Sequence, residues 1–462
     1  MIDTKKIDLQ YLLNKGFDQA KVTKQKHLVS MTEQLSAAVP LYVFRNAGRH
    51  ALSRAFWMTP DRHSTIVGAG EAHVLVEDSN KSSSVQHEWQ SLQQHAIVHN
   101  PYDAIEGTGL MVLGGMTFDA QKPSSDLWSE FDTKKFIVPT FVLVNHNDTV
   151  YLTTTLAVGE DDNIQQMVAD IESMQVALLN DPFPQDDLVE MTDYREIAPE
   201  AWKNTVRQAT ENIKSGYTEK IVLAREVRLK FANDVDHAAV LEQLIETQPS
   251  SYIFAFHYGD DCFIGATPEQ LVKVNAGQVF SMCLAGTAPR GETDKEDMVL
   301  ADRLLNDEKN RAEHDFVVQM IRESLEQYCE QVDIPDVPHV HQLKNLQHLY
   351  TPVSATIASG HDLFELVEAL HPTPALGGVP RDVSLAFIRD YEQLDRGWYG
   401  APVGWLDCYG NGEFAVAIRS GLIQGDEASL FAGCGIVADS DPEIEYEETN
   451  IKLKPMLHVL GG

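Results

Sequence analysis

A chain of 462 residues, 43% of them hydrophobic and 8% aromatic, can bury a large core and is far from the weakly apolar composition that stays disordered. Its formal net charge of -33, with no clustered Lys and Arg, excludes a nucleic-acid partner, because a phosphate backbone is bound through such clusters. A small anionic ligand would have to be held locally, by Arg, Lys or a metal, against this overall field.

No apolar run reaches membrane-spanning length, and the opening "MIDTKKIDLQYLL" lacks the pattern of a secretory signal, so a cytoplasmic protein with no membrane partner is expected. Five cysteines (Cys262, Cys283, Cys329, Cys408, Cys434), widely spaced and never paired as CxxC, suggest neither disulfides nor a zinc site.

In chain order, "LYVFRN", "STIVGAG", "HVLVE", "LMVLGGMTF" and "FIVPTFVLVN-HND-TVYLTTTLAV" read as strands, the last as a hairpin. Helices are predicted over "SVQHEWQSLQQHAI" and "NIQQMVADIESMQVALL". The Pro/Asp-rich loop "LLNDPFPQDDL", Leu178 to Leu188, marks a boundary between halves. Beyond it come a helix near "AWKNTVRQATENIKSG" and strands at "KIVLAREVRLKF", "YIFAFHYG", "CFIGATPEQLVKV" and "QVFSMCLAGT". One long helix is predicted from Lys295 to Tyr328, and a three-strand meander over "GAPVGWLDCY-GNG-EFAVAIRSGLI-QGDEA-SLFAGCGIV". Tight turns between consecutive strands imply antiparallel pairing, hence an α+β class. No internal repeat is legible.

The stretch "DSDPEIEYEETNIKLKP" reads as a helix capped by Ser440 or Asp441, with Pro442 in its first turn and a stop at Pro455. Glu443, Glu447, Asn450 and Lys454 form a polar stripe. Ile444, Glu445, Glu448, Ile451 and Lys452 fall on another side, where a carboxylate among isoleucines needs a partner or a metal. The plainer alternative is an i,i+4 bridge from Glu448 to Lys452. In "DEKNRAEHDFVVQMIRESLE", Glu313 shares a side with Phe316, Val317 and Met320, as a metal ligand or as the partner of a buried Arg. Carboxylates without a His or Cys cluster suit Mg²⁺.

The motifs "GYTEKIVLAREV", "FIGATPEQLV", "LAGTAPRG", "DEKNRAEH", "LQHLYTPVSA", "HPTPALGGVPRD", "DRGWYGAPVGW", "AVAIRSG" and "FAGCGIVADSDPEIEYEETNIK" together resemble the chorismate-utilising enzymes. The resemblance spans roughly residues 195 to 455. It implies one large α+β unit with two stacked, mainly antiparallel sheets and helices outside, the first 190 residues adding strands and helices to the same body.

Three places discriminate among members. Ala285 stands where aminodeoxychorismate synthases carry a nucleophilic Lys, and "GGVPRD" departs from the "SGIPK" or "GAPK" of anthranilate and salicylate synthases. Lys220 matches the lysine of members that add water to chorismate. "HPTPALGG" and the long N-terminal half resemble isochorismate synthases, those of the menaquinone pathway more than the siderophore ones.

By this resemblance Lys220 is the base that activates water and Glu269 the acid that protonates the departing C4 hydroxyl. A lysine acts as a base only as the neutral amine, and the acid must hold its proton. Read on their own, Lys220 is a surface residue at a strand start and Glu269 a helix-start carboxylate after Pro268. Glu313 and Glu448 are implied as Mg²⁺ ligands, with Glu445 reaching the ion through water. Asn310 departs from an acid common in relatives, which puts a further outer carboxylate in doubt.

Arg419 and Tyr399 are implied to hold the enolpyruvyl carboxylate, Arg419 on a strand face behind Ala415 and Ala417 or, alternatively, as a rim residue in an ion pair. Gly433 would offer its N–H to the substrate, Lys452 would face it, and Gly286 and Thr287 would lie near metal and ring. For both glycines a β-bulge is the alternative. His348 is expected near the C4 side, or as a strand His bonded to backbone. His371 and Pro372 read as a structural loop, and Cys434 as a small packing residue.

The expectation is a Mg²⁺-dependent isochorismate synthase acting on chorismate, of open oligomeric state. Salicylate synthase, a siderophore-pathway isochorismate synthase and a non-catalytic chorismate-binding subunit are the alternatives.

Overall fold

The structure is a computed structural model that describes residues 8–77, 84–180, 188–342 and 346–461, so most of the boundary loop at Leu178 to Leu188 lies outside the described residues. The N-terminal half begins with helix α1 (Leu9–Thr23), strand β1 (His27–Leu35), helix α2 (Pro40–Arg49) and strands β2 (Arg54–Met58), β3 (Ser64–Ala69) and β4 (His73–Glu77). It continues with α3 (Val85–His95), β5 (Ile97–His99), β6 (Met111–Met116), β7 (Lys134–Val138), β8 (Phe141–His146), β9 (Thr149–Val158) and α4 (Ile164–Leu179).

After β10 (Met191–Glu196) the same order returns: α5 (Pro199–Lys214), β11 (Lys220–Phe231), α6 (His237–Thr247), β12 (Tyr252–Tyr258), β13 (Asp261–Thr267) and β14 (Gln270–Asn275). An added block follows, comprising β15 (Gln278–Pro289), α7 (Asp294–Asn306), α8 (Glu308–Leu325), β16 (Cys329–Asp333), β17 (His339–Gln342) and β18 (Leu346–Ile357). It closes with α9 (Leu363–Leu370), β19 (Gly378–Val379) and α10 (Arg381–Tyr391). The chain ends with β20 (Pro402–Asp407), β21 (Gly412–Val416), β22 (Ser420–Gln424), β23 (Glu427–Ile436) and α11 (Pro442–Val459).

Among the described residues the strands form one sheet of 13 and one of 10, antiparallel apart from the β1–β5 pair at one edge. Helices lie outside, so the class is α+β. Strand alternation builds the layers. Phe56 of β2 packs with Val43 and Phe44 of α2, while its neighbours Ala55 and Trp57 pack with Leu113 and Trp405 of the second sheet.

The two halves meet in both sheets, through β2 on β12 (Phe56 opposite Ala255) and β6 on β20 (Gly114 opposite Gly404). A Cβ on Gly114 would lie 2.0 Å from the Lys135 carbonyl oxygen of β7, and one on Gly404 2.1 Å from that of Glu413 in β21. In the order β14-β21-β20-β6-β7-β4, β7 and β21 occupy equivalent places on either side of the β6–β20 seam. The internal repeat that no residue pattern discloses is thus a repeat of topology. The halves also differ around the space between the sheets: in the first half α3 packs on β1 of one sheet and on β4 and β7 of the other, while the second half carries the added block.

Several element readings are corrected. "LYVFRN" is helix α2, because Pro40 takes its first turn and Val43, Phe44 and Ala47 turn inward at helical spacing. The single helix from Lys295 to Tyr328 is two, broken at Asp307, whose carboxylate accepts the Asn310 N–H and caps α8. The meander of three strands is four, its middle strand divided between the sheets as β21 and β22. Likewise "FIVPTFVLVN" and "CFIGATPEQLVKV" each divide between the sheets, as β7 and β8 and as β13 and β14, and α1, β1, β2, α6, α9 and α10 went unread.

Under α2 and α6, Arg54 donates to the Phe44 carbonyl (2.8 Å) and to Nδ1 of His237 (3.1 Å), whose ring centroid is 5.1 Å from that of His257. Burial, with the Arg54 charge added, holds His257 down at about 4 and His237 well below its usual range. Unfolded, each imidazole titrates near about 6.5, so stability is full above that pH and is lost as pH falls towards 4. For His257 alone this amounts to on the order of 3 kcal/mol. Thermal melts should show the midpoint dropping across this window, with a shallower drop in His257→Gln.

Candidate functional site

A two-stranded ribbon passes from one sheet to the other. β13 pairs with β22 in the first sheet (Gly265 opposite Ser420), and their continuations β14 and β21 pair in the second (Gln270 opposite Ala415). Pro268 and Glu269 make one crossing, and Ala417, Ile418 and Arg419 the other. Backbone bonds lock them: Val416 N–H to the Glu269 carbonyl (3.0 Å) and Ala266 N–H to the Arg419 carbonyl (3.1 Å). Because the ribbon leaves, β23 runs on from Phe431 to Ile436 with β11 on one side and no β22 on the other. A cavity of about 1000 Å³ opens there.

Two placements therefore change. Glu269 is no helix start but a crossing residue facing the cleft, and Arg419 sits not on a strand face but in a left-handed bend (φ +50°). Burial pushes the Glu269 carboxyl up to about 7, against the lowering pull of Lys452, Arg419 and Lys220. Burial also lowers Arg419, and Glu269 opposes that shift.

Lys220 opens β11 and lines the same cleft. Its carbonyl accepts from Ser384 Oγ (2.9 Å), and it stands opposite Val379. A Cβ on Gly378 (φ +109°) would come within 2.2 Å of that carbonyl oxygen, and one on Gly435 within 2.7 Å of Lys220 Cε. Sequence reasoning named neither Gly435 nor Ser384, although the glycine spacing in "FAGCGIV" and the serine after "GGVPRD" were the available signals. Arg381 of "GGVPRD" is spent elsewhere, donating to the carbonyls of Ala369 (3.0 Å) and His371. His371 is buried and bonded to the Phe118 carbonyl (3.1 Å), consistent with a structural loop.

On the opposite wall, Gly286 (φ +76°) forms a β-bulge at the register shift between Ala285 and Thr287, and it also lines the cleft. Thr287 donates its N–H to Asn310 Oδ1 (3.3 Å), and its hydroxyl pairs with His348 Nδ1 (2.9 Å). Asn310 therefore ties α8 to the bulge. His348 lies on the cleft wall, its imidazole lowered by burial. His314, unnoticed in the sequence, is fully buried and fixes α8 through Thr351 Oγ1 (2.7 Å) and the Ala285 carbonyl (3.1 Å). The Glu313 side chain lies outside the described residues.

The acidic helix α11 starts at Pro442, capped by Asp441, and continues past Pro455 to Val459. Its buried side is Glu445, Tyr446, Thr449, Leu453 and Met456. Ile444 and Ile451 are 69% and 61% exposed, which corrects the face assignment: the isoleucines point to solvent. Glu445 accepts from Ser440 Oγ (2.6 Å). Glu448 reaches the cleft and takes the plainer partner, Lys452, whose Nζ lies 2.8 Å from its carboxylate and 2.9 Å from the Gly433 carbonyl oxygen. Gly433 thus presents its carbonyl to Lys452. Cys434 is buried, its thiol raised by burial and then by Glu445, as a packing residue would be.

Among the described residues no group of three or more His, Cys, Asp or Glu side chains is poised for a metal. Glu448 and Glu445 offer only oxygen donors, which fit a hard divalent ion. Tyr399 is buried on the cleft wall, its ring 5.3 Å from Phe431.

The family model "Chorismate binding enzyme" matches residues 15–461, and the chain belongs to that family. It is 38% identical over 450 residues to isochorismate synthase MenF of Bacillus subtilis, covering 96% of each chain. To the salicylate biosynthesis isochorismate synthase of Pseudomonas aeruginosa it is 32% identical, covering 98% of this chain and 95% of the relative. The solved structure of MenF, the menaquinone-specific isochorismate synthase from Escherichia coli, superposes with a TM-score of 0.80 at 25% identity, covering 97% of this chain and 99% of that one. The chain is thus a homologue of isochorismate synthases.

A carboxyl held at about 7 is half protonated at neutral pH, where an ordinary glutamate is almost fully ionised. Infrared difference spectra of the ligand-free protein should show a protonated-carboxyl band that titrates near pH 7 and is missing in Glu269→Gln.

Proposed function

We propose that the protein is a cytoplasmic, Mg²⁺-dependent isochorismate synthase that isomerises chorismate, acting in menaquinone biosynthesis. The observation that carries this reading is the convergence of Glu269, Lys220 and Arg419 on one cleft, where burial raises the Glu269 carboxyl to about 7.

Chemically, the Lys220 amine takes a proton from water as the oxygen bonds to C2 of the ring. The double bonds shift, and the C4 hydroxyl leaves as water on receiving the Glu269 proton. Arg419 and Tyr399 hold the enolpyruvyl carboxylate, helped by Gly433. Gly286, Thr287 and His348 form the wall beside the ring, and Lys452 faces the substrate. Glu448 and Glu313, with Glu445 through water, would hold Mg²⁺, which when bound neutralises the ring carboxylate and the acidic helix together.

Among the described residues no helix is long and apolar enough to cross a membrane, in keeping with a cytoplasmic site of action. The relative named for salicylate biosynthesis is an isochorismate synthase too, so it bears on the pathway that the product enters and not on the reaction.

Incubation with chorismate should give a product of unchanged mass and no pyruvate, only when Mg²⁺ is present. Salicylate with pyruvate would move the assignment to salicylate synthase, and chorismate bound but unchanged would indicate a regulatory subunit. Lys220→Ala should lower turnover by roughly 10² to 10⁴, and turnover at the normal rate would remove this mechanism.

A further inference from the structure

Strand β11 is supported unevenly. Along one edge it pairs with β23 from Ile221 to Lys230, while along the other it meets β19 at Lys220 and Ile221 and β10 from Val227 onward. Between these two partners the second edge has no strand beside it among the described residues. Two side chains take the place of the missing strand. Arg396 Nη2 donates to the Val222 carbonyl (2.8 Å), and the Ala224 N–H donates to Glu392 Oε2 (2.7 Å).

The two are themselves joined by a two-bond pair, Nε to Oε1 at 2.6 Å and Nη2 to Oε2 at 2.8 Å, with side chains only 4% and 2% exposed. Arg396 also donates to the Leu376 carbonyl (3.2 Å) and lies over the Phe118 ring (4.2 Å).

Packing of Leu223 and Ala224 does not hold this stretch alone, because two cavities border it. The cleft lies on one side, lined by Val222, Ala224 and Arg396. On the other is a second cavity of about 680 Å³, lined by Ala224 and Glu392. The pair is the partition between them. Through Leu376 it also grips the segment leading to β19, and β19 stands opposite Lys220.

We propose that Glu392 and Arg396 are positioning residues for Lys220, replacing a β-ladder so that the first turn of β11 holds the amine at one place in the cleft. This rests on the reading of Lys220 as the base. A scaffold that needed only stability gains little from a buried ion pair over apolar packing. A base needs its backbone fixed to a fraction of an ångström.

The test compares Arg396→Lys and Glu392→Gln with wild type in three measurements. Acylation of the Lys220 amine, quantified by peptide mass spectrometry against exposed Lys214, should change severalfold in both variants. Turnover of chorismate should fall by roughly a hundredfold with KM little changed. In the wild-type protein the Ala224 amide should exchange hydrogen as slowly as the ladder amides of β11.

Folded variants with wild-type Lys220 labelling and wild-type kcat overturn the proposal. So does loop-like exchange at Ala224, which is read without any substitution and decides the matter even where the variants fail to fold. Should wild type leave chorismate unchanged, the functional reading fails, and the labelling ratio and exchange still decide the positioning.

Discussion

The constraint on which the molecule turns is a pair of antiparallel strands that abandons one sheet for the other. Neither crossing can be straight backbone. At one, Arg419 adopts a left-handed conformation; at the other, Pro268 and Glu269 turn the chain while the Glu269 carbonyl accepts a bond from the returning strand. The crossings deliver an acid and a cation to the same cleft, and leave the end of β23 paired with β11 alone, which is what makes room for a ligand. Site and fold are one event here: a change that straightened the ribbon would close the cleft and bury its two most chemically specific side chains.

Burial then sets the chemistry. The Glu269 carboxyl is raised by loss of water, although three cations in its field pull the other way. Desolvation prevails because the cations are spread along different elements, while the loss of solvent acts directly on the carboxyl. Across the cleft, hydrogen bonds rather than apolar contacts define the wall, running from the Gly286 bulge through Thr287 and Asn310 to the capped start of α8. A wall held by directed bonds has one geometry, where a greasy wall has several.

Much of this was legible in the chain, and the remainder failed for identifiable reasons. Antiparallel strands, tight turns and the cap of α11 could be read because each depends on local chemistry, whereas the motif residues of the cleft could be read only through the family resemblance: by local pattern Lys220 is a surface residue and Glu269 a helix start. The split of "EFAVAIRSGLI" could not, since its residues alternate as smoothly as those of one strand and only tertiary pairing sends the halves to different sheets. Ile444 and Ile451 misled because apolar side chains usually face inward, and here the buried side of α11 is taken by Glu445, Thr449 and Leu453. His314 and the Glu392–Arg396 pair were invisible for another reason: His314 bonds to groups far away in sequence, and an i,i+4 Glu–Arg pair looks like any surface pair until its contacts with the distant backbone of β11 are seen.

The doubled topology carries a last consequence. The halves are stitched along β2 to β12 and β6 to β20, strands that are buried almost throughout and carry hardly any charge. Apart from one another, each lobe would show two raw apolar edges of the kind that recruits other chains into aggregates. Neither edge has a bulge, a proline in mid-strand or a row of lysines to blunt it. The N-terminal half is therefore more than a spare copy: its edge strands cover those of the half that holds Glu269 and Lys220.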